Sequence, residues 1–102
     1  MKAVARVLLP TVTFLLIHIL VWNVIAYMYP EGSVYGVSWE EAALGQMVYS
    51  IIGVPLGLLI GSILEIVNRL SPTVANTRIV ILASLTYGVA YEYGVLYAIG
   101  IV

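Results

Sequence analysis

Residues 42–64 read AALGQMVYSIIGVPLGLLIGSIL, an unbroken run with no charged side chain. At about 1.5 Å per helical residue, a run of this length covers the roughly 30 Å hydrocarbon core of a bilayer. An isolated segment in lipid satisfies its own backbone polar groups only as a helix. Two further apolar runs of similar length lie either side of it, from Val7 to Tyr29 and from Ile79 to Val102. The expected fold is therefore all-α: one integral membrane domain, 1–102, of three hydrophobic helices. Composition agrees. With 63 % apolar residues, 9 % charged residues and a mean hydropathy of +1.10, the chain cannot fold as a soluble domain without exposing an apolar surface everywhere. In 102 residues there is no room for a separate water-soluble domain, which argues against an independent enzyme.

The charges are sorted by position. Lys2, Arg6, Arg69 and Arg78 all fall on one side of the apolar runs, and Glu31, Glu40 and Glu41 on the other. The positive-inside rule then predicts a plasma-membrane protein with its amino terminus inside and its carboxyl terminus outside. The net charge of -1 gives no bulk attraction to nucleic acid, but the cytoplasmic turn carries a local positive field. The absence of cysteine excludes disulfides and thiolate metal sites, and with one Gln and three Asn it fits a thermophile. The first run follows Lys2 and Arg6 as a secretory signal would. However, it is longer than the about 7 to 15 apolar residues of a cleavable signal, and it ends in Ala26-Tyr27-Met28-Tyr29-Pro30. It reads as a signal-anchor-like helix over 1–30, followed by a helical hairpin over 31–102.

Punctuation along the chain supports this division. Trp22, Tyr27 and Tyr29 suit an outer aromatic girdle, and Pro30, Gly32, Ser33 and Gly36 suit a loop. Ser38-Trp39-Glu40-Glu41 is a capping-box pattern that starts the second helix, expected to continue to Arg69 with a bend at Pro55. Asn68-Arg69-Leu70-Ser71-Pro72 ends it, and Asn76 or Thr77 can cap the third. A turn this short predicts that the second and third helices are tight antiparallel neighbours.

The strongest pattern is a four-residue spacing on the second helix: Gly45, Tyr49, Gly53, Gly57, Gly61, Glu65 and Arg69. Its glycines form a small-xxx-small row of glycine-zipper type, which lets a neighbouring helix approach closely. The third helix offers Ala90, Gly94 and Ala98 in one row, with Ser84 and Gly88 in a second. The two helices are expected to pack on each other through these rows, and contacts between subunits are compatible with that. His18 and Glu92 are the ionisable residues deepest in the apolar runs. Each costs roughly 2 to 3 kcal/mol or more in charged form there, so each should be neutral, paired or facing a cavity. A proton relay is one reading. The other, preferred because a relay needs more than two stations, has Glu92 bonded within an oligomer and a neutral His18 bonded to a neighbouring helix. A single His and no Cys exclude most metal and haem sites, leaving bis-histidine haem only between subunits. Tyr87, Tyr91 and Tyr97 make a stripe suited to packing, with Tyr93 beside it. Arg69 and Arg78 can fix topology, bind lipid phosphates or line a charged channel.

Taken in order, these parts resemble the conjugative pilins of type IV secretion systems, including those proposed for archaeal DNA transfer. The likeness is architectural and lies between Glu31 and Val102: a capping box, a glycine-rich helix, a short basic turn and a second small-residue helix. The resemblance implies a structural subunit with no cofactor. In that family many copies of the hairpin assemble with phospholipid into an extracellular tube whose lumen the basic turn faces. Arg69 and Arg78 would then line the path of DNA passing without sequence-specific binding. The first segment departs from the pattern, since bacterial members lose theirs. Two other classes account for the same residues: an accessory subunit held by larger membrane subunits of a respiratory or transport complex, and a small oligomeric pore.

Overall fold

In the computed structural model, which describes residues 2–28, 39–70 and 77–98, the chain forms three helices. These are α1 (Ala3–Met28), α2 (Trp39–Leu70) and α3 (Thr77–Ala98), and each is long and apolar enough to cross a membrane. α1 starts ahead of the apolar run, because a helix can begin in polar surroundings: its first turn is closed by the Arg6 amide donating to the Lys2 carbonyl at 3.1 Å. α2 continues through Pro55 to Leu70, and α1 through Pro10. The capping residue Ser38, the loop glycines, the Ser71-Pro72 turn, Asn76 and Glu31 lie outside the described residues.

The helices do not pack in the expected order. α1 lies against both α2 and α3 along its length, whereas α2 and α3 approach each other only sparsely. The reason is steric. The α2 glycine row forms a flat groove, and α1 carries the bulky side chains that fill it. A Cβ at Gly45 would lie 2.6 Å from the Trp22 ring, one at Gly53 would overlap the Phe14 ring, and one at Gly57 would lie 2.5 Å from Thr11 Oγ1 and 3.0 Å from Thr11 Cα. At Gly61 it would run into the Val7 carbonyl, so α1 and α2 meet there backbone to backbone. α3 offers α1 a second notch at Gly88, where a Cβ would lie 2.7 Å from Ile17 Cδ1. These pairings make α1 antiparallel to α2 and parallel to α3.

The core is accordingly centred on α1. Pro10, Phe14 and His18 are fully buried with Val80 and Ser84, and Trp22, Ile25, Ala26 and Val95 form an apolar cluster nearer the carboxyl ends of α1 and α3. The outward faces carry exposed Leu16, Ile51, Leu59, Leu82 and Val89, as suits helices whose solvent is lipid. The same directions bring the start of α1, the end of α2 and the start of α3 to one end of the bundle. Lys2, Arg6, Arg69 and Arg78 gather there.

Candidate functional site

The site is built from polar groups that the helix packing forces inward. His18, on the α1 face between the other two helices, is 1 % exposed, and Glu92 on α3 is 3 % exposed. His18 Nδ1 meets Glu92 Oε1, and His18 Nε2 meets the Gln46 carbonyl of α2 at 3.0 Å. One imidazole thus ties all three helices together. Phe14 stacks on it with ring centroids 5.0 Å apart, while Trp22 and Tyr91 present their rings edge-on at 6.2 and 6.4 Å. Glu92 Oε2 and Trp22 Nε1, both buried, have no hydrogen-bond partner among the described residues. The two ionisable residues singled out in the sequence therefore pair with each other inside one chain. The expectation that Glu92 finds its bond in an oligomer is replaced by this internal one. Nothing local in the sequence links positions 18 and 92; the only signal is that each is costly alone and that pairing removes both costs.

The tyrosines divide between two jobs. The Tyr87 hydroxyl donates to the Gly53 carbonyl, and the Tyr91 hydroxyl donates to the Tyr49 carbonyl at 2.5 Å. Long side chains thus span the gap that the α2 and α3 backbones leave open. In a helix the side chain four residues on leans back over a carbonyl, and here those positions are Gly57 and Gly53, so both carbonyls are left open to a tyrosine. Tyr93 and Tyr97 are 60 % and 70 % exposed and point away from the bundle. Tyr97 therefore does not share the buried face of Tyr87.

At the basic end, Glu65 is the organising residue. Its Oε2 accepts from Arg6 Nε at 2.6 Å and its Oε1 from Arg69 Nε at 3.1 Å. The Arg6 and Glu65 side chains are 15 % and 11 % exposed, whereas that of Arg69 is 74 % exposed. Arg69 thus stands at the rim, held by its i,i+4 partner. Arg78 is exposed in the first turn of α3. The spacing of Glu65 from Arg69 was readable in sequence, but the half-buried bridge to Arg6 was not.

The small-residue rows also separate. Gly45, Gly53, Gly57 and Gly61 all face α1, and Gly88 faces α1 from the other side. Ala90, Gly94 and Ala98 point outward: all three are exposed, and a Cβ at Gly94 would meet nothing within 4 Å. The α3 row therefore does not pack on α2. Beside it Leu85, Thr86, Val89, Ala90 and Tyr93 line an open groove of about 550 Å³. Among the described residues no three acidic or His side chains come together as a metal site would need. The fold and site define a compact, apolar three-helix bundle with a buried acid–base pair. Comparisons with protein-family profiles, curated proteins and solved structures find no match to this chain.

Proposed function

We propose that this chain is a non-enzymatic structural subunit of the plasma membrane that assembles with further copies of itself. Its basic end is cytoplasmic and its carboxyl terminus outside. The outward face of α3 carries this reading. The α2 glycines are occupied by α1, but Ala90, Gly94 and Ala98 remain uncovered beside a groove bordered by Val89 and Tyr93. Such a face lets a further helix approach until dispersion replaces the missing hydrophobic drive. A contact between this face and a different face of the next copy is not self-complementary, so it propagates into rings or filaments.

Among such assemblies a pilin-like building block of a conjugation pilus suits the chain best. Arg69 and Arg78 would recur along its inner surface near lipid phosphates, and DNA would pass without sequence-specific contacts. In this form α1 travels with α2 and α3, since its removal would empty the core of Phe14, His18 and Trp22. Filaments sheared from cells are expected to consist mainly of this chain and to co-purify with phospholipid. Gly94→Leu is expected to abolish them while leaving the bundle folded. The rival reading is an accessory subunit, favoured by the apolar exposure around the bundle, with Leu16 66 % and Ile51 71 % exposed. Recovery of the chain as a single copy in a stable complex with larger membrane subunits would replace the first reading with that one.

A further inference from the structure

We infer that His18 and Glu92 form a proton-binding site, in which one exchangeable proton is held between carboxyl and imidazole at the junction of the three helices. The placement of protons follows from the bonding partners. The Gln46 carbonyl can only accept, so His18 Nε2 carries a hydrogen and donates it. His18 Nδ1 is left to share one proton with Glu92 Oε1. The unpartnered Glu92 Oε2 decides where that proton rests. A buried carboxylate would leave charge on an oxygen that receives no donor, whereas in a carboxylic acid Oε2 is a carbonyl oxygen, for which the lack of a donor costs far less. In the resting pair, then, Glu92 Oε1 carries the proton and donates it to neutral His18 Nδ1, and the pair bears no net charge.

Release of that proton to solvent leaves a carboxylate beside a neutral imidazole, and uptake of a second gives an imidazolium beside the acid. Either step places one net charge in a core where no described residue supplies a counter-charge. Among the described residues, the titratable groups facing the pair are Tyr87 and Tyr91 from α3 and Tyr49 from α2, while α1 presents the uncharged rings of Phe14 and Trp22. The Arg6, Glu65 and Arg69 cluster lies about 18 Å along α1, twelve residues from His18. Gain or loss of the proton therefore bears on the bond that joins α1 to α3.

The chain is suited to a direct test, because His18 is its single histidine and Glu92 one of five acidic residues. Full-length protein labelled with ¹⁵N-histidine is reconstituted in lipid bilayers and observed by solid-state NMR, with infrared spectra of the same sample. Near neutral pH, Nε2 is expected to be protonated and Nδ1 to be an unprotonated acceptor. A carboxylic-acid carbonyl band is expected that shifts in D₂O, is lost at high pH together with a change at Nδ1, and is absent in Glu92→Gln. Two protonated ring nitrogens near neutral pH, a band that ignores D₂O or alkali, or a band that survives in Glu92→Gln would each overturn the assignment. The labelled wild-type chain decides the matter even if the variant fails to fold.

Discussion

Replacing a glycine by alanine at two positions adds the same methyl group to two very different neighbourhoods. At Gly94 the new Cβ meets nothing within 4 Å; at Gly61 it runs into the Val7 carbonyl of α1. Helix propensity would favour alanine by roughly 1 kcal/mol in water. In lipid, however, the helices persist when the bundle comes apart, so little of that gain is recovered. Gly94→Ala is therefore expected to change the stability of the bundle by less than about 0.5 kcal/mol. Gly61→Ala has no flexible side chain to push aside, so α1 must withdraw from α2. Overpacking of this kind costs about 1–3 kcal/mol, and the withdrawal also draws Arg6 from Glu65, which lies one turn further along α2. The expected loss is at the upper end of that range. Reversible unfolding of both variants in mixed micelles or bicelles, at dilution that keeps the chain monomeric, measures the difference. Equal stability of the two, or greater damage from Gly94→Ala, would mean that α1 is not seated on the glycine row.

Other expectations follow from the same packing. Phe14→Ala, which empties a fully buried position, is expected to cost about 2 kcal/mol in the same unfolding assay, from the cavity it leaves at ~24 cal/mol per Å³, since in lipid no transfer from water is lost. Glu65→Gln is expected to destabilise the bundle more than Arg69→Ala, because the first change removes the negative charge that the half-buried Arg6 and the rim Arg69 share, while the second removes only the rim partner. For topology, cysteines at Gly36 and Thr73 are expected to react with an impermeant reagent from opposite sides of intact cells; labelling of both from outside would refute the proposed orientation.

Three all-helical spans were determined by the sequence itself, because the need to bury a backbone in lipid acts on each apolar run separately and requires no knowledge of its neighbours. The four-residue rows were legible for the same reason: spacing along one helix sets which residues share a face. Which helix fills a row is another matter. The α2 glycines are equally flat to any partner, and only the tertiary structure matched them to Thr11, Phe14 and Trp22 of α1, leaving the α3 row facing outward. Likewise His18 and Glu92 could each be flagged as costly alone, but their bond depends on two helices running parallel side by side in one register. The same holds for the bridge from Arg6 to Glu65. Local composition sets the price of an isolated polar group in a membrane, and only the three-dimensional packing determines what relieves it.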